Sequence, residues 1–322
     1  MEKVKVTVFA DPVCTWCWGS VPVLRALKYR LGERVEIDYV MCGMIEDITR
    51  YSNRRLGIGG DIALSNRNIH KVWLEASAVH GMPVCEHVFS LFSEEHRSTL
   101  PQNMGYIAAK LCAKREGKGL CAERFLRRLQ EATAVDGEHT SDAAVVAALA
   151  AVVGFEPTRF GEVMRSREVQ SLYEEDKARC RQYEVQTYPS YLLGYKGVEI
   201  MLRGFTSFET LVQNIKQLSY GKVSLGDGVC EKATPERVKH FIEQCGSTYP
   251  VEVATAFSMQ RISGKSALNV ESYVGLPDVV DELVSSGEVS MHPRGNGFML
   301  YSKHAGVASC VDAGRAAAGV HA

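Results

Sequence analysis

Polar and apolar residues alternate over residues 3–10, with Val4, Val6 and Val8 on one side, and the pattern predicts a strand. Val21, Leu24 and Leu27 then recur at helical spacing, which predicts a helix from about Cys17 to Leu31. Alternation returns in Arg34 to Cys42 through Val35, Ile37 and Tyr39, a second strand. A helix between two strands implies parallel neighbours joined by a crossover. From residue 60 to 180 the strand signal vanishes. Helical patterns cover about 61–80, 101–116, 122–133, 141–153 and 158–182, broken at Gly81-Met82-Pro83, Gly117 to Gly119, Gly137 and Gly154. Strands return at Tyr191 to Gly194 and Gly197 to Leu202, with Tyr195-Lys196-Gly197 as a hairpin turn. A helix from about Ser207 to Tyr220 closes the unit.

The order is β-α-β, a helical block, then β-β-α. This predicts an α/β fold with an all-helical insertion: a sheet domain over 1–59 and 183–220, and a helical domain over 60–182. Residues 221–233 lack periodicity and read as a linker. Residues 234–304 read as a small α+β unit. Its helices start at Thr234-Pro235, Pro250 and Leu276, and a hairpin pairs Val289 to Met291 with Phe298 to Tyr301, a winged-helix-like outline. The Gly/Ala-rich residues 305–322 are expected to be disordered.

Composition narrows the function classes. The charge is balanced, 37 Lys and Arg against 38 Asp and Glu, so nothing pulls the chain toward nucleic acid or an anionic membrane. No run reaches the roughly 18–20 apolar residues of a membrane span, and the charged N-terminus does not suit a signal peptide. A reducing cytoplasm is therefore the expected location. Ten cysteines in 322 residues are too dilute for a disulfide scaffold. The C-terminal unit invites a DNA-binding reading, but Lys222 to Ala322 holds nine Lys and Arg against eleven Asp and Glu, and its third helix carries Asp278, Asp281 and Glu282. Dense phosphate would repel it. A protein partner for this unit is the better expectation. Gly57-Ile58-Gly59-Gly60 follows no clear strand, so it is not a nucleotide fingerprint.

The chemistry concentrates in Cys14-Thr15-Trp16-Cys17, after the first strand and at the start of the first helix. Unpaired amides and the positive dipole end at a helix start favour an anion, so Cys14 is expected as a thiolate nucleophile. Cys17, a turn on, would resolve the mixed disulfide. Half of a zinc site is the alternative. Zinc usually needs a second such pair, and Cys42, Cys85, Cys112 and Cys121 are dispersed. No metal and no resident cofactor are expected. Gln186-Thr187-Tyr188-Pro189-Ser190 precedes the returning strand, and a proline here can be cis. Asp11 is either a buried proton relay for Cys17 or a cap of the Pro12 turn. Trp16 is expected to be exposed as a docking face and Trp18 to be core. Trp73 and His80 read mainly as packing residues, and the remaining cysteines as small buried hydrophobes.

The run Asp11-Pro12-Val13-Cys14-Thr15-Trp16-Cys17-Trp18-Gly19 resembles the active-site signature of cytoplasmic DsbA-like thiol-disulfide oxidoreductases, which include FrnE-like proteins and YjbH-like protease adaptors. Trp73-Leu74-Glu75-Ala76, His80-Gly81-Met82-Pro83, Thr187-Tyr188-Pro189 and Arg203-Gly204-Phe205 resemble that group too, over about residues 3–220. The resemblance implies a thioredoxin-like fold with a helical insertion. It implies dithiol-disulfide exchange through Cys14 and Cys17, with Pro189 in a cis-proline loop shaping the substrate groove beside Trp16, Thr187 and Tyr188. Substrates would be proteins or small molecules bearing thiols or disulfides, and glutathione is a candidate redox partner. A redox-sensitive adaptor using the same groove is the alternative function. A glutathione-dependent isomerase is a second, disfavoured because those relatives carry serine where Cys14 stands. Residues 222–322 have no counterpart in the simple members.

Overall fold

The computed structural model describes residues 3–225 and 232–303. The tail 305–322 and the middle of the expected linker lie outside the described residues. Strand β1 (Val4–Ala10) pairs in parallel with β2 (Val35–Met41), Val4 opposite Val35 and Ala10 opposite Met41. The other side of β1 pairs antiparallel with β3 (Ser190–Tyr195), and β3 with β4 (Val198–Arg203), in the order β2-β1-β3-β4. Lys196, at positive φ, and Gly197 make the tight β3–β4 turn. The fold is thioredoxin-like, with a helical insertion between β2 and β3.

The first helix differs from expectation. Instead of one helix over 17–31 there are two, α1 (Thr15–Gly19) and α2 (Val21–Leu31). Pro22 has no amide hydrogen to donate to the Trp18 carbonyl, so a continuous helix loses a bond there. Ser20 fills the break, its hydroxyl donating to the Cys17 carbonyl at 2.7 Å.

The insertion holds α3 (Ile62–His80), α4 (Leu100–Glu116), α5 (Cys121–Ala134), α6 (Ala143–Leu149), α7 (Pro157–Met164) and α8 (Arg167–Gln182). The stretch 141–153 ends in a 3-10 turn. The stretch 158–182 breaks at Arg165-Ser166, where the Ser166 hydroxyl accepts from the Val169 amide and starts α8. After β4, α9 (Phe208–Leu218) packs on α2 and β3.

The C-terminal unit is winged-helix-like: α10 (Pro235–Cys245), β5 (Ser247–Thr248), α11 (Pro250–Ala256), α12 (Leu276–Ser285), and the hairpin β6 (Val289–Arg294) with β7 (Gly297–Ser302). The hairpin strands are longer than expected. Pro293 lies within β6, which it can because β6 is an edge of the β5-β7-β6 sheet.

This unit is closely docked. Its buried residues join those of the first 225 in one apolar core. Tyr29 of α2 packs edge-on against Phe241 and tilted against Phe257, with centroids at 5.0 and 5.7 Å. Glu252, fully buried, receives Arg25 of α2 at 3.0 Å and Arg127 of α5 at 3.1 Å. Arg127 also lies over Trp18 and Tyr249, at 4.6 and 5.0 Å. The hairpin turn seats on the insertion, where Asn296 exchanges amide bonds with Val84 at 2.9 Å and donates to Ser77.

Candidate active site

The end of β1 delivers the chain into a turn held by Asp11. The Val13 amide donates to Asp11 Oδ1 at 2.9 Å and the Cys14 amide to the Asp11 carbonyl at 3.0 Å. Cys14 is thereby fixed as the N-cap of α1, with extended backbone at φ −69° and ψ 119°. The first-turn amides of Thr15, Trp16 and Cys17 have no acceptor within the helix. Cys17 sits one turn on, and the two thiols are hydrogen-bonded. The Cys14 Sγ also donates to the Tyr188 carbonyl at 3.6 Å. The Tyr188–Pro189 peptide is cis, as the joint context suggests. The Tyr188 carbonyl is thus engaged by the Cys14 thiol.

The Cys17 thiol is the more buried of the two. Burial, then the bond and charge from Cys14, push the Cys17 thiol well up. Asp11 is fully buried. Its Oδ2 accepts from the Met44 amide at 2.7 Å, Asn103 Nδ2 at 2.9 Å and Thr99 Oγ1 at 3.1 Å. Those donors and Val13 favour the carboxylate, but burial outweighs them and its pKa is raised. Asp11 therefore serves its turn as the cap reading expects. Its charge also raises the Cys17 thiol slightly, a smaller effect than burial and Cys14.

His80, read from the sequence mainly as packing, closes the other side. Its Nδ1 accepts from the Met82 amide at 3.1 Å, so the proton sits on Nε2, which donates to Thr15 Oγ1 at 3.3 Å. Burial lowers its pKa to about 3, so the ring is neutral. A side chain at Gly19 would run into the His80 ring, at 2.5 Å from Cβ to Cγ. Trp16 is half-buried rather than exposed, wedged between His80 at 5.7 Å and Phe205 at 5.4 Å. Trp18 is core, its Nε1 donating to the Pro83 carbonyl. Trp73 packs on Phe89.

On the proline loop, Pro189 is buried and Tyr188 half-buried. Thr187 is exposed, its hydroxyl 3.5 Å from Ser190 Oγ. Phe205, just after the Arg203-Gly204 turn, is 40% exposed and forms an apolar rim with Trp16. Sequence reasoning missed Thr99, Asn103 and Met44. Single polar residues on helices and loops carry no spacing signal that ties them to a carboxyl far along the chain. Among the described residues no three His, Cys, Asp or Glu side chains converge as a metal cage. No helix there is long and apolar enough to cross a membrane.

A family model described as thioredoxin matches residues 8–213, well over half of the chain. The chain belongs to the thioredoxin family. This thioredoxin-family chain is 21% identical to the ClpXP adapter protein SpxH of Halalkalibacterium halodurans, over 80% of its own length and 79% of that protein's. It is 23% identical to the protein of the same name from Bacillus cereus strain ZK / E33L, over 67% of its own length and 69% of that protein's. Among solved structures it is similar to a Nitrosomonas europaea protein proposed to be a protein disulfide isomerase. The TM-score is 0.54 and the identity 20%, covering 67% of this chain and 97% of that one. That likeness is one of fold.

Proposed function

We propose that this chain is a cytoplasmic thiol-disulfide oxidoreductase that works by dithiol-disulfide exchange at Cys14 and Cys17. One observation carries the reading: Cys14 faces both the Cys17 thiol and the carbonyl of the cis-proline loop, at the N-cap of α1. Cys14 as thiolate attacks one sulfur of a substrate disulfide. That S–S bond breaks, one substrate thiolate leaves and takes a proton, and a mixed disulfide joins Cys14 to the other half. Losing its proton frees the Tyr188 carbonyl to pair with an extended substrate. Trp16 and Phe205 offer that substrate an apolar rim, and Thr187 edges the same loop.

Cys17 stays protonated during the first attack because burial holds its thiol up. Resolution requires that proton to leave, and the buried Asp11 carboxyl, with its raised pKa, is the acceptor in this reading. The Cys17 thiolate attacks the Cys14 sulfur, releases the second substrate thiol and leaves a Cys14–Cys17 disulfide. A thiol such as glutathione restores the dithiol by the same exchange. The reverse sequence oxidises or isomerises a substrate, and the reduction potential of the couple selects the direction. No metal or bound cofactor takes part.

The test is insulin reduction with dithiothreitol as electron source. Wild type should accelerate it, and Cys17→Ser should trap a mixed disulfide at Cys14. A wild-type rate equal to the blank would sink the reading.

The second reading is a redox-sensitive adaptor. It is favoured by the long alignment with proteins named as ClpXP adapters. On that reading Cys14→Ser would bind its protein partner as reduced wild type does, oxidised wild type would bind it differently, and turnover would be dispensable.

A further inference from the structure

Two other cysteines, far apart in sequence, meet at the opposite end of the functional loop. Cys42 directly follows β2, and its amide extends the β1 pairing by donating to the Ala10 carbonyl at 2.9 Å. Cys180 lies in the last turn of α8. Their sulfurs are 2.9 Å apart across a sequence separation of 138. A disulfide bond is about 2.05 Å long, so joining them needs a shift of under about 1 Å. The backbone on both sides is already pinned. The Met41 amide donates to Asp176 Oδ2 at 2.8 Å, one helical turn before Cys180, and the Val185 amide donates to the Cys180 carbonyl at 2.9 Å.

The surroundings are apolar. Phe9, Val40 and Leu192 bury the pair, and Tyr183, Val185, Tyr188 and Met201 pack around it. Tyr188 is shared: its side chain rests on this cluster while its carbonyl takes the Cys14 thiol. Immediately after Cys180, α8 ends and the chain runs into the Gln186–Pro189 loop.

We propose that Cys42 and Cys180 form a second redox site, a reversible structural disulfide that clasps α8 to the end of β2 beneath the proline loop. The oxidant is a low-molecular-weight disulfide such as oxidised glutathione. Cys180, the more exposed of the two, attacks one glutathione sulfur and expels the other half as a thiol. Cys42 then attacks the Cys180 sulfur, the protein S–S bond forms, and the second glutathione leaves. Two thiols lose two electrons and two protons, and one disulfide becomes two thiols. Once formed, the bond resists reduction. Burial pushes the Cys42 thiol well up, so the reduced pair gains no stabilised anion. The clasp does not rest on exchange at Cys14.

The experiment uses the full chain carrying Cys14→Ser and Cys17→Ser, with wild type in parallel. Both are equilibrated natively, and separately refolded, in glutathione buffers of graded ratio. They are then acid-quenched, alkylated, digested and mapped by mass. A peptide linking Cys42 to Cys180 should dominate at the oxidised end, vanish with dithiothreitol, and raise the thermal midpoint by about 5 °C. Cys180→Ala should show neither the linkage nor the shift. The wild-type arm decides the matter if the double variant misfolds. Two separately alkylated cysteines in natively folded, fully oxidised protein would overturn the proposal. So would a linkage that leaves the thermal midpoint unchanged.

Discussion

The two cysteine pairs are buried alike: 8% and 3% exposed for Cys14 and Cys17, 3% and 8% for Cys42 and Cys180. Exposure therefore does not tell them apart. The first pair lies at a helix start, with a buried carboxyl, a neutral imidazole and a loop carbonyl in reach, under a rim of Trp16 and Phe205. The second lies against Phe9, Val40 and Leu192 at the end of a strand and the end of a helix. A helix end presents carbonyls, which do not favour a thiolate. Equal burial with opposite surroundings separates sulfurs set among polar partners at a helix start from sulfurs enclosed by apolar side chains.

That contrast can be broken most severely at Cys14. Cys14→Ser should drop insulin reduction to the blank rate, and residual turnover would move the nucleophile elsewhere. Next in size is an acid effect at His80, beside the first pair. The unfolded His80 takes a proton near pH 6.5, but the folded ring refuses it down to about 3. Its contribution to stability is thus full above pH 6.5 and is lost as pH falls toward 3, about 5 kcal/mol across the window. His80→Gln should flatten this slope in denaturant midpoints measured from pH 7 to 4, while Cys42→Ala should leave it in place.

Asp11→Asn should slow release of the mixed disulfide by roughly 10²-fold. Alkylation of Cys14 by iodoacetamide should change by less than about threefold, because the first attack does not use that carboxyl. In wild type the release rate should rise as pH passes through the raised Asp11 value, and in the Asn variant that step should disappear. Stopped-flow release of a fluorescent thiol reads both. Smallest is Cys42→Ala. Exchange at Cys14 should stay within about twofold, and equilibrium denaturation should show a loss of about 1 kcal/mol for the vacated sulfur.

The first pair was legible in sequence because its geometry is local. The spacing of Cys14 and Cys17, the strand before them and Pro189 at the head of another strand each leave a mark within a short window. The family signature Asp11 to Gly19 and the thioredoxin-like order of elements came from the same windows. The break at Ser20 was also written there, in Pro22, although the periodicity of Val21, Leu24 and Leu27 masked it. His80 showed only as a histidine near a helix end. Its part in the site depends on Gly19 leaving room for the ring, a contact between residues sixty positions apart. Cys42 and Cys180 gave no signal at all, since their meeting depends on how α8 lies across the sheet. The same holds for Glu252. Nothing in Pro250 to Ala256 says that its one carboxylate will neutralise arginines from two other parts of the chain.

That carboxylate sets how the molecule can be divided. A shortened chain ending at Leu225 would keep the whole family match yet strand Arg25 without its counter-ion, leave Arg127 with Glu131 alone and strip Trp18 of Tyr249. The half that carries Cys14 and Cys17 is therefore not a detachable module. Anyone expressing it alone should expect aggregation, and supplying residues 232–303 in trans should restore solubility by returning the missing negative charge.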